Sequence, residues 1–184
     1  MPSRESIRVH PPGLPPIVAL VKEAIEKYIK EGKVIKKPED LPLPEGTPER
    51  AGVFVCLKVN GELRGCIGTI EPATDSIPAE AIRNAIASAT EDPRFHPVGE
   101  HELDSLDYSV DILYPPEKIK DEPELDPKEY GVIVVQGMRR GILLPDLPGV
   151  DTAAEQVKIA RLKAGISPLD RDVELYRFRV KRLR

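Results

Sequence analysis

The residues best suited to chemistry lie in one short apolar segment, Leu63 to Thr69. Arg64 and Cys66 stand two residues apart, so in a strand they project from the same face, where a guanidinium stabilises a thiolate. Gly65 and Gly68 weaken a strand, and a fold tolerates such glycines where a backbone or a ligand approaches closely. The segment therefore predicts a small-ligand site. In that site Arg64 clamps an anion, Gly65 and Gly68 clear the approach, and Cys66 is the candidate catalytic residue.

Packing offers a different explanation of the same residues. A cysteine on an apolar strand commonly serves as a small core side chain, and glycines in strands often mark bulges. A second polar candidate is the pair Arg139 and Arg140, which we regard as possible ligand-binding residues. A solvated turn is the alternative for that pair. Sequence alone leaves both choices open.

Few histidines are available to act as a general base for Cys66. The chain contains only His10, His96 and His101. A Cys66–His96 dyad needs a hydrogen bond between nucleophile and base, and spacing cannot supply that geometry. The histidines and carboxylates also show no recognisable metal-binding spacing. We therefore predict no metal and no cofactor.

A β-hairpin positions the central segment. Asn60-Gly61 lies between two apolar runs and is typical of a two-residue turn that needs positive φ at both residues. A regular register from this turn places Cys56 opposite Gly65 and Val55 opposite Cys66. The two cysteines would then project from opposite faces and could not form a disulfide.

Periodicity and capping signals predict the remaining elements. Helices are expected over 14–31, over 77–91 and from a capping box at Thr152 to Gly165. Strands are expected over 106–113, 131–136, 141–144 and 173–182. Together they predict an α+β fold, an antiparallel-rich sheet flanked by helices.

Composition limits the classes of partner. The 27 basic and 31 acidic residues leave a formal charge of -4, which gives no general attraction to nucleic acid or anionic lipid. The longest apolar runs are too short to span a bilayer, and the N-terminus lacks an apolar signal core. Two cysteines without paired spacing argue against a disulfide framework. The chain is predicted to be cytoplasmic and not membrane-bound.

The segment Leu63-Arg64-Gly65-Cys66-Ile67-Gly68-Thr69 resembles the signature of the AMMECR family. Further matches follow in order: Asp92-Pro93-Arg94-Phe95, Ser109-Val110, Arg139-Arg140-Gly141 and Lys163-Ala164-Gly165. The resemblance covers nearly the whole chain from about Leu14. It is strongest to the prokaryotic branch, protein A of the AmmeMemoRadiSam system.

This resemblance implies a two-lobed α+β fold with the signature strand near a cleft between lobes. We expect a single domain over 1–184, with a main lobe of about 14–92 plus 137–184 and a smaller lobe of about 93–136. The resemblance also implies association with a Memo-type protein and a radical S-adenosylmethionine protein. Relatives carry Pro where this chain has His96, so a Cys66–His96 dyad cannot be a family mechanism.

Three functions remain open. The first is an accessory or binding component of a modification pathway, whose cleft holds a small anionic ligand or a partner's tail. The second is an enzyme that uses Cys66 as nucleophile or redox group in the cleft between lobes. The third is nucleic-acid binding through the basic C-terminal edge, which carries Arg177, Arg179 and Arg182.

The enzyme alternative predicts that Cys66→Ser abolishes activity while the melting temperature stays nearly unchanged, because a reacting thiol contributes little packing. Thermal unfolding followed by circular dichroism checks the second half of this prediction. A large fall in melting temperature would indicate that Cys66 packs in the core instead.

Overall fold

The computed structural model describes residues 13–184, so His10 lies outside the described part of the chain. The α-helices are α1 Pro16–Glu31, α2 Ile77–Thr90 and α3 Ala153–Ala164. The strands are β1 Val53–Val59, β2 Glu62–Gly68, β3 Leu106–Leu113, β4 Glu117–Ile119, β5 Gly131–Gln136, β6 Arg139–Leu143, β7 Glu174–Phe178 and β8 Val180–Leu183. Short 3₁₀ segments cover Glu100–Ser105 and Glu122–Glu124. The α+β class predicted from sequence is confirmed.

The strands form two four-stranded antiparallel sheets. The first sheet has the order β2-β1-β3-β8, and α1 and α2 pack on it. The second sheet has the order β4-β7-β5-β6, and α3 packs on it. Among residues 13–184, no helix is both long enough and apolar enough to cross a membrane.

Both sheets contain the same ββαβ arrangement. In the first, the β1–β2 hairpin leads into α2, and β3 then pairs with β1. In the second, the β5–β6 hairpin leads into α3, and β7 then pairs with β5. Each hairpin carries an Arg-Gly pair on its outer strand, Arg64-Gly65 and Arg140-Gly141. A Cβ added to either glycine would overlap a backbone carbonyl of the following helix, that of Ser88 or of Ala160.

Local signals set the element boundaries as predicted. Asn60 and Gly61 have φ of 52° and 82°, as the tight hairpin turn requires. Ser76 accepts a hydrogen bond from the Ala79 N–H at the start of α2. Thr152 and Glu155 form the capping box at the start of α3.

The hairpin register differs from the prediction. Val59 pairs with Glu62 and Lys58 with Leu63, but a bulge then makes Leu57 the partner of Gly65. Beyond the bulge Cys56 lies directly opposite Cys66, so the prediction that they project from opposite faces was wrong. Because side chains alternate between the two faces of a sheet, one extra residue on the outer strand reverses the face from which every later side chain of that strand projects.

The chain also divides between the sheets differently from the lobes expected from sequence. β3, from the expected smaller lobe, joins the first sheet, whereas β6 and β7 join the second. The single strand predicted over 173–182 is two strands, with β7 in the second sheet and β8 in the first. Between them Arg179 accepts a hydrogen bond at its carbonyl from the Tyr114 N–H, 2.9 Å.

Apolar side chains fill three clusters. The largest packs α1 and α2 on the first sheet, and a second surrounds α3 on the other sheet. The third is centred on Leu113, Ile133 and Phe178, which come from β3, β5 and β7, so it joins the two sheets. Phe54 of β1 packs against this third cluster.

Gly65→Ala should lower the free energy of unfolding by about 1–3 kcal/mol, because the new methyl group forces α2 away from β2. Urea denaturation followed by circular dichroism measures the change. Gly99→Ala is the matched control, since its Cβ would overlap the side chain of His101, which can move, and no backbone atom is among the three nearest atoms that it would meet. Equal unfolding midpoints for the two variants would contradict the close-contact explanation.

Candidate functional site

A ladder of buried polar side chains on α2 and in the turn after it holds the signature strand. Glu80, Asn84, Ser88 and Asp92 recur every four residues, and each is at most 5% exposed. Glu80, Asn84 and Ser88 lie on one face of α2, and that face meets the β1–β2 hairpin. Asp92 follows two residues after the helix ends. Buried polar groups of this kind are stable only when they are hydrogen-bonded.

Glu80 binds the segment that follows β2. Its carboxylate accepts from the Thr69 hydroxyl at 2.6 Å, the Thr74 hydroxyl at 2.7 Å and the backbone N–H groups of Ala73 and Thr74. Burial by itself would raise the pKa of Glu80, but these donors hold that pKa below its usual value. Asn84 donates to the Val53 carbonyl at 2.8 Å and so connects α2 to β1.

Ser88 bridges the two strands of the hairpin. Its hydroxyl accepts from the Ile67 N–H at 2.8 Å and donates to the Val55 carbonyl at 2.6 Å. The hydroxyl therefore takes part in the pairing of β1 with β2. Gly65 is required beside it because the Ser88 carbonyl occupies the space of a Cβ.

Asp92 and Arg94 clamp the backbone of Cys66 on the outer edge of the sheet. The Cys66 N–H donates to Asp92 Oδ2 at 2.9 Å, and Arg94 Nη2 donates to the Cys66 carbonyl at 3.4 Å. Arg94 also donates to both oxygens of Asp92, at 2.9 and 2.7 Å. The Arg94 hydrogen bonds, followed by that from Cys66, outweigh burial and hold the pKa of Asp92 well below its usual range.

Arg64 lies at the mouth of an open pocket. It donates from Nε and Nη2 to the two oxygens of Glu102, at 2.8 and 3.0 Å. The pocket has a volume of about 420 Å³ and is lined by Arg64, Pro93, Arg94, Phe95 and His96. The guanidinium carbons of Arg64 and Arg94 lie 5.8 and 5.5 Å from the centre of the Phe95 ring. Both arginines thus flank one aromatic ring at cation–π distance.

Cys66 is not among the residues that line this pocket, and it lies opposite Cys56 in the hairpin. The interaction between the two thiols is the first cause of the pKa shift at each group. It lowers the pKa of Cys56 and raises that of Cys66. Burial and then the carboxylate of Asp111 raise the pKa of Cys66 further, whereas Arg94 lowers it.

A lysine of α3 interacts electrostatically with Cys66. Lys163 at the end of α3 feels the charges of both Arg94 and Cys66. Desolvation and then Arg94 lower the pKa of Lys163, and Cys66 opposes that shift. Groups from α3 and from the loop after α2 therefore converge on the thiols. Among residues 13–184, no cluster of three or more His, Cys, Asp or Glu side chains could hold a metal ion.

Comparison with known proteins identifies the family. Residues 18–183 match the family model described as AMMECR1. The chain belongs to the AMMECR1 family. A protein of Thermotoga maritima is 55% identical over 168 residues, which cover 91% of this chain and 96% of that protein. The crystal structure of an uncharacterised protein from Pyrococcus horikoshii has a TM-score of 0.79 and 38% identity, covering 90% of this chain and 88% of the other.

One AMMECR1 relative is a much longer protein. A protein of Clostridium acetobutylicum is 48% identical over 167 residues, which cover 91% of this chain but only 35% of that protein. A region similar to this chain therefore occurs there within a larger polypeptide.

The AMMECR1 fold places the second candidate pair, Arg139 and Arg140, apart from Arg64. Arg139 donates to the Gly165 carbonyl at 2.7 Å and to Asp170, and so closes the end of α3. Arg140 forms a 2.9 Å ion pair with Glu71. Neither arginine is among the residues that line the Arg64 pocket.

The two signature glycines do not open a path for a ligand. The Ser88 carbonyl fills the space beside Gly65, and the ring of Phe54 covers Gly68. Sequence reasoning also missed Arg94, Phe95 and Lys163 as site residues. Their only signal was membership of two family motifs, Asp92-Pro93-Arg94-Phe95 and Lys163-Ala164-Gly165.

Asp92→Asn should be less stable than wild type near neutral pH by about 1–3 kcal/mol, because an amide cannot accept from both Arg94 and Cys66 as a carboxylate does. The folded-state pKa of Asp92 lies below the unfolded value of about 3.9, so this stability is present above that pH and is lost as pH falls. The difference between the two proteins should therefore shrink below about pH 4. Urea titrations at several pH values measure it.

Asp75→Asn serves as the control for this titration, since the Asp75 carboxylate is exposed and solvent screens its ion pair with Lys37. Its stability should stay close to wild type. A constant difference between Asp92→Asn and wild type down to about pH 2.5 would contradict the role of the Asp92 charge.

Proposed function

We propose that this AMMECR1-family protein is an accessory binding component of a modification pathway. Its partners are a Memo-type and a radical S-adenosylmethionine protein, as the family resemblance implies. The pocket beside β2 binds an anionic group, a carboxylate of a small molecule or of a partner's chain. The observation that carries this proposal is the pair of oriented guanidinium groups around Phe95.

Each guanidinium is held in place before a ligand arrives. Glu102 engages Nε and Nη2 of Arg64, and Asp92 engages the same atoms of Arg94. Those bonds leave the Nη1 donors of both arginines for another acceptor. Arginines already held in one geometry lose less conformational entropy on binding, which favours affinity for a planar carboxylate.

The pocket's shape favours binding over enclosed catalysis. It is open to solvent and is built by surface groups of one loop together with Arg64. Such a site can receive a side chain or a chain end that projects from another protein. The Clostridium acetobutylicum relative, in which the similar region is about a third of a longer chain, supports a role beside other protein units.

The other two functions have weaker support. Cys66 presents its backbone carbonyl to Arg94 and its thiol to Cys56, so a nucleophile acting within the Arg64 pocket is disfavoured. The arginines of the C-terminal edge contact carboxylates: Arg177 with Glu117, Arg179 with Glu129, and Arg182 with Asp111. These contacts reduce the positive field that nucleic acid would need.

Arg64→Met and Arg94→Met should each weaken binding to the Memo-type or the radical S-adenosylmethionine protein of the same organism by about tenfold or more. Each substitution removes one guanidinium and keeps most of the apolar stem. Isothermal titration calorimetry with purified partners measures the dissociation constants, and titration with succinate tests a free carboxylate.

Arg177→Met is the matched control. Arg177 also donates to a glutamate and stacks on an aromatic ring, Tyr130, but it lies on the second sheet away from the pocket. Its dissociation constants should equal those of wild type. Absence of binding to either partner protein, or equal losses in Arg177→Met, would overturn the proposal.

A further inference from the structure

Cys56 and Cys66 lie directly opposite each other on β1 and β2. Both backbone groups of Cys66 point away from β1, since its N–H donates to Asp92 and its carbonyl accepts from Arg94. In an antiparallel pair this direction marks a non-hydrogen-bonded position, where the two Cα atoms are about 4.5 Å apart. A disulfide spans Cα separations of about 4.4–6.8 Å, so the register permits one.

The two thiols are also reachable and chemically competent. Both cysteines are partly exposed, and each side chain shifts the pKa of the other. Such an interaction stabilises a thiolate on one member of the pair. Arg94 stabilises negative charge on Cys66, while Lys58 and Arg182 do so on Cys56, and Asp111 opposes both.

We propose that Cys56 and Cys66 form a redox-active dithiol that exchanges with low-molecular-weight disulfides and closes reversibly to a cross-strand disulfide. The thiolate of one cysteine attacks a sulfur of the small disulfide, which forms a mixed disulfide and releases one small thiolate. The second cysteine loses its proton and attacks the protein-bound sulfur, which releases the other small thiolate. The protein gives up two electrons and two protons, and the small disulfide becomes two thiols.

The fold organises this exchange through α2. Ser88 sets the strand pairing next to Cys66, and Asp92 and Arg94 hold the Cys66 backbone, so the two thiols stay opposed. Positive charge from Arg94 and Lys163 beside Cys66 favours small disulfides that carry carboxylates. Oxidised glutathione has this chemistry and is the probe of choice. The redox proposal stands on the cysteine register and does not depend on binding in the Arg64 pocket.

The test is disulfide mapping on the native full chain after treatment with oxidised glutathione. After an acid quench and alkylation of free thiols, trypsin separates Cys56 in peptide 51–58 from Cys66 in peptide 65–83. Mass spectrometry should find these two peptides joined by a disulfide. Cys56→Ser and Cys66→Ser should each stop at a mixed disulfide with glutathione, because no second thiol can resolve it.

Wild-type protein unfolded in urea is the control for the contribution of the fold. Cross-linking should be about tenfold or more faster in the folded protein, because the register places the thiols together. Return of both free thiols on addition of reduced glutathione is the expected sign of reversibility. Mixed disulfides alone in the folded wild type, no reaction before unfolding, or equal rates in folded and unfolded protein would overturn the proposal.

Discussion

The buried polar ladder of α2 is the constraint on which the rest of the structure depends. Glu80, Asn84, Ser88 and Asp92 enter an interface that would otherwise be apolar, and each finds backbone partners in or beside the β1–β2 hairpin. A buried polar group without a partner costs about 1–3 kcal/mol, so the four together tolerate only one position of α2 over the strands. That position requires glycine at 65, since the helix backbone lies where a Cβ would be.

The positions of the residues in the candidate functional site depend on this constraint. The bulge beside Arg64 accommodates the register that Ser88 and Asp92 impose on β2. Beyond the bulge Cys66 faces Cys56 rather than Val55, and its backbone clamp brings Arg94 to the edge of the sheet. The guanidinium groups of Arg94 and Arg64 then both lie near the Phe95 ring, and together these side chains form the pocket. The thiol pair and the arginine pocket are two consequences of one register.

The ββαβ arrangement occurs twice, but different side chains stabilise each copy. In each half a glycine on the outer strand admits the backbone of the following helix, but only α2 carries the polar ladder. The second half uses apolar packing around α3, with Gln156 as its one buried polar residue among those described on that helix. The halves are joined by the cluster at Leu113, Ile133 and Phe178 and by the passage of the chain from β7 to β8.

The sequence by itself determined the α+β class, the family, the Asn60-Gly61 hairpin and the caps of α2 and α3, because turns and caps depend on neighbouring residues. It also pointed to Arg64, which lies at the pocket, and to Arg139 and Arg140, which lie outside it and contact other groups. Only the tertiary structure decided the register of β2, since the groups that set it lie far along the chain. Ser88 is 21 residues from Ile67, and Asp92 is 26 residues from Cys66. Three further features depend on distant residues in the same way. They are the pairing of Cys56 with Cys66, the ion pair of Arg64, and the passage of the C-terminal segment from one sheet to the other. Each is set by hydrogen bonds and packing between distant segments, and no local pattern records them.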